Sequence, residues 1–132
     1  MAKTTRRPPG QKQKVIPLLR GDVYLCSLDP TIGHEMKKTR PALVIQNDVG
    51  NRYSSVTIVA AITSTLSPVP YPVEVVVDAS TTNGLGVRSS IRLDQIRSVD
   101  RQRLIRRLGV LDSTTMAKVD EAIKISLGLV RL

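Results

Sequence analysis

Residues 56–63 read VTIVAAIT, a run of eight apolar and β-branched residues between polar flanks. Side chains that branch at Cβ pack well on a pleated surface, so the run predicts a buried strand. Comparable runs lie on both sides of it along the chain. They predict further strands at 21–28, 42–45, 73–78 and 87–93, the last of which can continue through Val99. Residues 20–100 are therefore expected to be mainly β.

Turn-forming residues separate these strands. Asp29-Pro30 ends the first strand, and a polar, charged loop is expected from Thr31 to Thr39. A polar turn is predicted at 47–51, prolines interrupt the chain between 68 and 72, and a loop rich in Ser, Thr, Asn and Gly covers 80–86. Short strands joined in this way are typical of a small antiparallel barrel.

The C-terminal segment changes to a helical period. A short helix is predicted around Arg101–Arg107, and Asp112 or Ser113 can cap a longer helix that Gly128 ends. Its apolar stripe should pack on the barrel or on a partner subunit. The stripe consists of Met116, Val119, Ile123 and Leu127, at spacings of 3, 4 and 4. We therefore predict a mainly β (α+β) fold, a small antiparallel barrel with an appended C-terminal amphipathic helix.

The size and cysteine content narrow the class of protein. With 132 residues the chain is long enough to bury one hydrophobic core as a single domain. Cys26 is the only cysteine, so no intramolecular disulfide is possible, and no Cys/His cluster has metal-ligand spacing. We expect no metal and no other cofactor. The N-terminus has neither an apolar signal segment nor a membrane span, which favours a cytoplasmic protein without membrane association.

The charge is strongly positive and unevenly distributed. Lys and Arg number 20 against 11 acidic residues, for a net charge of +9, and residues 1–20 hold six of the basic residues and no acid. Residues 1–16 lack apolar periodicity and are interpreted as a flexible basic arm, with the folded domain at 17–132. The surplus of positive charge favours binding to a nucleic acid, although a need for solubility or binding to anionic lipid would also account for it. Because Phe and Trp are absent, RNA binding would depend on arginine.

Several ordered segments between residues 20 and 129 resemble the MazF/PemK family of toxins, including the branch named Kid. The segments are RGDVY at 20–24, DPTIGHE at 29–35, TRPALVIQN at 39–47, VAAIT at 59–63, IRLDQIRSVD at 91–100 and KVDEAI at 118–123. The resemblance implies an SH3-like barrel, a homodimer, and metal-independent cleavage of single-stranded mRNA at a short motif. The products would be a 2′,3′-cyclic phosphate and a 5′-hydroxyl. It also implies a cognate antitoxin with an acidic disordered tail, and operator DNA bound only through that antitoxin.

The resemblance also implies two overlapping sets of catalytic residues. In the MazF branch the Arg of the Arg-Pro motif and the Thr that closes the third strand are held to be catalytic, here Arg40 and Thr63. In the Kid/PemK branch the His of Gly-His-Glu and the Arg and Asp of Arg-x-Asp-Gln have these roles, here His34, Arg92 and Asp94. This sequence carries both sets. RNA contacts are further predicted for Arg20, Glu35, Lys37, Lys38, Asn47, Arg52 and Gln95.

These residue types suit RNA cleavage by the 2′-hydroxyl. The reaction needs a proton acceptor at the 2′-oxygen, a donor at the departing 5′-oxygen and positive charge at the phosphorane. We interpret Asp94 as the base, Arg92 as a phosphate or leaving-group contact, and His34 as a further donor. Arg40 would bind phosphate in a bidentate manner, and Thr63 would hydrogen-bond phosphate or the 2′-oxygen.

Simpler interpretations stay open. Arg92 and Asp94 lie two residues apart on one strand and can form only a surface ion pair. His34 can be a surface residue, and Thr63 can simply end a strand. Two other functions compete with the ribonuclease: a CcdB-like, non-enzymatic inhibitor of DNA gyrase, and a catalytically inactive nucleic-acid-binding module. CcdB-like chains end in a Trp-Gly-Ile tail, which this chain lacks.

Overall fold

The computed structural model describes residues 17–28 and 39–131. This part of the chain forms six strands, two α-helices and one 3₁₀ helix. The strands are β1 (Asp22–Ser27), β2 (Thr39–Val44), β3 (Val56–Thr63), β4 (Glu74–Val77), β5 (Ser89–Asp100) and β6 (Leu104–Val110). The helices are α1 (Asp48–Tyr53) and α2 (Ser113–Ser126), and the 3₁₀ helix is Arg101–Arg103.

The strands form one antiparallel sheet in the order β4-β5-β3-β2-β1-β6. The loop between β4 and β5 folds back onto β6 at the opposite edge, where the amide of Val110 donates to the carbonyl of Thr82 over 2.9 Å. A Cβ atom at Gly109 would lie 2.2 Å from the same carbonyl oxygen, so this approach requires glycine. The sheet therefore curls until its two edges meet through the loop.

Each face of the sheet carries its own apolar cluster. Leu43, Ile62, Ile91 and Leu93 lie on the face that α2 covers, where they pack with Val119 of that helix. The other face carries a smaller cluster, which consists of Leu18, Cys26, Ala42, Val44, Val59 and Val99. The mainly β, α+β fold with a C-terminal helix is confirmed.

Helix α2 begins and ends with the predicted residues. The Asp112 carboxylate accepts a hydrogen bond from the amide of Thr115 over 2.7 Å, which lowers the pKa of that carboxyl group. Gly128 has a φ of +74°, the left-handed conformation that ends helices. Val119 is fully buried, whereas Leu127 is 60% exposed and lies outside the packed stripe. None of the described helices is long and apolar enough to cross a membrane.

The helix predicted at Arg101–Arg107 is wrong for most of its length. Only Arg101–Arg103 are helical, and residues 104–110 form β6. This strand pairs with the outer edge of β1, where Leu104 lies opposite Cys26 and Gly109 opposite Val23. The hydrogen bonds available at that edge, which the local sequence does not reveal, outweigh the helical preference of residues 104–107.

Two other boundaries differ from the prediction. The segment predicted as a turn at 47–51 begins α1, because the Asn47 side chain accepts from the amide of Gly50 over 2.7 Å and caps the helix. Strand β2 begins at Thr39, three residues before the predicted run, because its early residues pair with β1. Arg40 is therefore part of the sheet.

Candidate active site

Arg40 and Thr63 lie near each other at the ends of two neighbouring strands. Strand β2 pairs with β3 so that Ala42 lies opposite Ala61. Arg40 and Thr63 each lie two residues beyond this last pair, at the end of the sheet where β2 begins and β3 ends, and both line the same cleft. Side chains at opposed positions lie on the same face of a sheet. The two residues predicted from the MazF branch are thus neighbours.

Arg92 lies on the same face, on the next strand. Strand β5 pairs with β3 so that Arg92 lies opposite Ala61 and Ser90 lies opposite Thr63. Adjacent strands are about 4.8 Å apart, which separates the backbones of β2 and β5 by roughly 10 Å. Long side chains from Arg40 and Arg92 can therefore reach adjacent groups of one bound ligand.

The residues on the sheet beneath these arginines are small and covered. Ala42 and Ser90 are fully buried, and Ala61 is nearly so. Ala42 packs in the apolar cluster of this face, and the Ser90 hydroxyl donates to Glu74. A larger side chain at any of the three positions would therefore disturb the packing that supports Arg40 and Arg92.

Arg92 and Asp94 form a bidentate ion pair. The Arg92 Nε donates to Asp94 Oδ1 over 3.1 Å, and Nη2 donates to Oδ2 over 2.8 Å. The pair forms at a bulge: Ala60 lies opposite Ile96 while Ala61 lies opposite Arg92, so residues 93–95 protrude from the register. Gln95, a predicted RNA contact, is exposed on this bulge beside Asp94.

This pairing sets the protonation of both groups. The hydrogen bond from Arg92 lowers the pKa of the Asp94 carboxyl, and the same bond raises the pKa of the Arg92 guanidinium. Asp94 is therefore ionised at neutral pH, but it is a weaker base while Arg92 holds it. A ligand that displaced Asp94 from Arg92 would make the carboxylate more basic.

A cleft of about 620 Å³ opens at this end of the sheet, beside Arg40 and Thr63. The Thr63 hydroxyl oxygen accepts a hydrogen bond from the amide of Thr65 over 3.1 Å, so its own proton stays available for a ligand. Both apolar and hydroxyl side chains line the cleft. Its lining consists of Thr39, Arg40, Pro41, Ile62, Thr63, Ser64, Thr65, Leu85, Gly86, Val87 and Ser89.

Arg20, a predicted RNA contact, is engaged elsewhere in the fold. Its Nη2 lies 2.7 Å from Asp120 Oδ1 on α2, and its Nε donates to the carbonyl of Ile45 over 2.8 Å. These contacts connect the start of β1, the end of β2 and the helix. They give Arg20 a structural role, which competes with the predicted RNA contact.

Asn47 and Arg52 belong to α1, at the other end of the sheet. Asn47 caps the helix, and the Arg52 guanidinium lies 5.5 Å from the centre of the Tyr53 ring. Strand β3 runs from Val56, close after α1, to Thr63, a length of roughly 23 Å. A larger cleft of about 730 Å³ includes Arg52. The cleft of about 620 Å³ suits catalysis better than this one, because Arg40 and Thr63 line it.

The other predicted residues fall where the structure gives no description. His34, Glu35, Lys37 and Lys38 lie outside the described residues. In residues 17–28 and 39–131, no group of three His, Cys, Asp or Glu side chains is placed to hold a metal ion.

Glu74 is a residue of this region that the sequence analysis missed. Its carboxylate is 7% exposed and accepts hydrogen bonds from Ser67 Oγ over 3.0 Å and Ser90 Oγ over 3.2 Å. In the pairing of β4 with β5 it lies opposite Arg92. The available signal was a single acid inside the apolar run VEVVV at 73–77.

Residues 19–127 match the family described as PemK-like, MazF-like toxin of type II toxin-antitoxin system. The chain belongs to this family. It is similar to endoribonuclease EndoA of Bacillus subtilis strain 168, with 49% identity over 111 residues that cover 84% of this toxin and 95% of EndoA. It is also similar to endoribonuclease MazF of Staphylococcus epidermidis, with 44% identity over 110 residues, 83% of this toxin and 91% of that protein.

The fold is shared with a solved toxin structure as well. An endoribonuclease from Mycobacterial species, solved in complex with its cognate antitoxin, superposes with a TM-score of 0.70 at 25% identity. The alignment covers 87% of this toxin and 99% of that chain. The family predicted from the ordered segments between residues 20 and 129 is therefore confirmed.

Proposed function

We propose that this toxin is a metal-independent endoribonuclease that cuts single-stranded mRNA at a short sequence motif. The observation that carries the proposal is the placement of Arg40, Thr63 and the Arg92–Asp94 pair on one face at one end of the sheet. Two relatives that are 44% and 49% identical are named endoribonucleases, which supports the same activity here. No observation favours gyrase inhibition.

Arg40 and Thr63 bind the scissile phosphate. The planar guanidinium of Arg40 matches the two non-bridging phosphate oxygens at once, and the free hydroxyl proton of Thr63 donates to one of the same two oxygens. As the 2′-oxygen attacks phosphorus, negative charge accumulates on these phosphate oxygens. The two side chains stabilise that charge more than they stabilise the bound substrate.

Asp94 and Arg92 act on the nucleophile. An RNA phosphate that takes the place of Asp94 at the Arg92 fork frees the carboxylate and raises its pKa toward the ordinary value. Asp94 then accepts the 2′-hydroxyl proton, the 2′-oxygen bonds to phosphorus, and the bond from phosphorus to the 5′-oxygen breaks. The departing oxygen takes a proton from His34 or from the Arg92 guanidinium. The products are a 2′,3′-cyclic phosphate and a 5′-hydroxyl.

The remaining RNA contacts are proposed around this centre. Gln95 is exposed next to Asp94 and can reach a base or a phosphate. Glu35, Lys37 and Lys38 immediately precede β2 in the sequence and are proposed to contact RNA near Arg40. Contacts by Arg20, Asn47 and Arg52 would need RNA to extend to the other end of the sheet or to a second copy.

The toxin is proposed to act as a homodimer and to be inhibited by a cognate antitoxin. The mycobacterial endoribonuclease with the similar fold was solved with its own antitoxin, which supports such a partner. An acidic, initially disordered tail would compete with RNA for Arg40 and Arg92. Operator DNA would be bound only through the antitoxin, and the complex would reside in the cytoplasm with its mRNA substrate.

The basic arm at 1–16 is proposed to add non-specific affinity for phosphates. Within residues 1–16 the sequence has five basic side chains and no acid. The competing interpretation is a segment that orders on a partner. Deleting the arm and measuring RNA affinity across salt concentrations separates the two, because lost phosphate contacts reduce the salt dependence.

The decisive experiment is incubation of the purified toxin with a long RNA and its DNA counterpart in excess EDTA. Cut sites and end chemistry are then mapped. Cleavage of RNA alone, at a recurring motif and with cyclic-phosphate ends, is expected. Binding of RNA without any cleavage by folded toxin would contradict the enzyme and favour an inactive nucleic-acid-binding module.

A further inference from the structure

Glu74 connects a loop to the face that carries the candidate active site. Its two carboxylate oxygens accept from different parts of the chain: Ser67 belongs to the loop 64–73 between β3 and β4, whereas Ser90 belongs to β5. Ser90 lies opposite Thr63 in the sheet. The carboxylate thus joins the loop to a position directly beside a candidate catalytic residue.

The surroundings of Glu74 are unusual for a buried acid. The side chain is more than nine-tenths buried, yet no cation lies within ion-pair distance of it among the described residues. Its hydrogen-bond donors are two neutral hydroxyl groups, while Arg92, opposite on β5, is hydrogen-bonded by Asp94 and interacts with Glu74 only through its charge. Burying a carboxylate costs stability, which these hydroxyl bonds and the nearby charge offset. The contacts of Glu74 therefore fix the positions of the groups that bind it.

The same loop presents an exposed aromatic residue. Tyr71 is 64% exposed, and its carbonyl accepts from the amide of Glu74 over 2.9 Å. The loop is attached to β5 as well, where the amide of Leu93 donates to the carbonyl of Val73 over 2.8 Å. Tyr71 is therefore fixed close to the strand that carries Arg92 and Asp94.

Tyr71 is the aromatic side chain best placed to meet RNA there. The chain has three tyrosines and no Phe or Trp. Tyr24 is half-buried in β1, and Tyr53 lies on α1 at the other end of the sheet. Exposed aromatic rings bind single-stranded RNA by stacking on its unpaired bases.

We propose that Tyr71 stacks on a nucleobase next to the scissile phosphate and that Glu74 is the positioning residue that holds Tyr71 there through Ser67 and Ser90. This proposal rests on the proposed function, because it needs single-stranded RNA at this face. It assigns the loop 64–73 to base recognition and the sheet residues to the phosphate. Loss of the Glu74 contacts would move the ring without removing any phosphate contact.

The test is the affinity for an RNA that contains the cleaved motif and a 2′-deoxy sugar at the cut site, which binds but is not cut. Tyr71→Ala should weaken binding about tenfold, within the range for loss of one stacked base, and Tyr71→Phe should bind like the unmodified toxin. Ser67→Ala and Glu74→Gln should weaken binding by a smaller factor and broaden the set of cleaved sequences. Glu121→Gln, a carboxylate change on the exposed side of α2, should have no effect.

A second RNA, in which each base near the cut site is removed in turn, identifies the stacked base. At the correct abasic position the toxin and Tyr71→Ala should bind equally, which a merely structural role of the ring would not produce. Two results would overturn the stacking. One is a Tyr71→Ala variant that loses the same factor of affinity at every abasic position, and the other is full affinity of Tyr71→Ala for the intact RNA. Full affinity of both Ser67→Ala and Glu74→Gln would overturn the positioning role.

The two proposals fail in different ways. Binding to the uncleavable RNA does not depend on catalysis, so a toxin that binds but never cuts still tests Tyr71, with a mixed-sequence RNA as the probe. Thermal unfolding of each variant shows whether it folds. If Glu74→Gln does not fold, Ser67→Ala alone decides the positioning role, because it removes one hydroxyl and keeps the buried carboxylate and Ser90.

Discussion

Both ends of the sheet carry polar side chains. At one end these side chains are hydrogen-bonded within the protein, and at the other end they line an open cleft. At the α1 end, Asn51 is 1% exposed, and its amide nitrogen donates to the carbonyl of Gln46 over 2.9 Å. Its amide oxygen accepts from Gln46 over 3.1 Å and from Thr57 over 2.7 Å. At the other end, Arg40 and Thr63 line an open cleft and Arg92 holds only a partly exposed carboxylate.

This difference separates groups that stabilise the fold from groups that remain available to a ligand. A closed network of buried hydrogen bonds is costly to break but offers nothing to a substrate. Partly exposed guanidinium groups such as those of Arg40 and Arg92 contribute modestly to stability, since solvent screens them in part, yet they bind phosphate strongly. Substitutions at the two ends should therefore change different measured quantities.

The largest expected effect is at Arg40. Arg40→Ala should lower kcat/KM for RNA about a thousandfold, because it removes the cation that stabilises charge on the phosphorane, while Tm changes little. Arg106→Ala is the matched control, an exposed arginine of β6 whose register with Leu25 places it on the opposite face from Arg40. A large loss of Tm in Arg40→Ala, with activity retained, would reverse the comparison between the two ends.

Asp94 is expected to have the next largest effect. Asp94→Asn should lower kcat about a hundredfold, since the amide cannot accept the 2′-hydroxyl proton. Because Arg92 lowers the pKa of Asp94 in the free toxin, the acid limb of kcat/KM should lie below that of kcat, where RNA has displaced the carboxylate. In Arg92→Gln the acid limb of kcat/KM should move to higher pH.

The same shift has a small consequence for stability. A carboxyl group whose pKa is lowered by folding stabilises the folded state above its unfolded pKa, and this contribution disappears as pH falls through the folded pKa. Asp94 is 39% exposed, so solvent screening reduces this contribution to stability.

The kinetic prediction for Asp94 has a contradicting outcome. If kcat and kcat/KM fall at the same acidic pH while the protein is still folded, RNA does not displace Asp94 from Arg92.

At the α1 end the expected loss is in stability. Asn51→Ala should lower the free energy of unfolding by about 2–3 kcal/mol, because Thr57 and Gln46 lose partners inside the protein. Asn47→Ala removes one exposed cap and should cost about 1 kcal/mol. Both variants, assayed well below their Tm, should cleave RNA at the normal rate. If Asn47→Ala lowers the affinity for RNA but leaves Tm unchanged, Asn47 contacts RNA directly, as the sequence predicts.

Elements with local signals were predictable from the sequence. Strand β3 is indicated by a run of β-branched residues. Helix α2 is indicated by an N-terminal cap, an apolar stripe and a terminal glycine. Strand β6 was missed because its stability comes from pairing with β1, some eighty residues earlier, and residues 101–107 give no local sign of it. The need for glycine at Gly109 likewise depends on its contact with the distant loop residue Thr82.

The candidate site divides in the same way. The order of three neighbouring strands brings Arg40, Thr63 and Arg92 to one end of the sheet, and the family resemblance points to all three from the sequence. Their catalytic roles stay predictions. The role of Glu74 was not visible in the sequence, because a single acid in an apolar strand is informative only once Ser67 and Ser90 are seen to bind it.

Substitution of Arg20 is expected to have the smallest effect on stability. Arg20 also tests the comparison between the two ends directly, because it is a predicted RNA contact that bonds to groups of the fold. Its guanidinium is 30% exposed and bonded to Asp120, whose side chain is 46% exposed, so Arg20→Met and Asp120→Asn should each cost less than about 1 kcal/mol. If Arg20 serves only the fold, both variants lose similar stability and neither changes the salt dependence of RNA binding. If Arg20 binds phosphate, Arg20→Met lowers the salt slope by about 0.7, whereas Asp120→Asn frees the guanidinium and tightens binding. We expect the first result, because the contacts with Ile45 and Asp120 already direct the guanidinium toward α2.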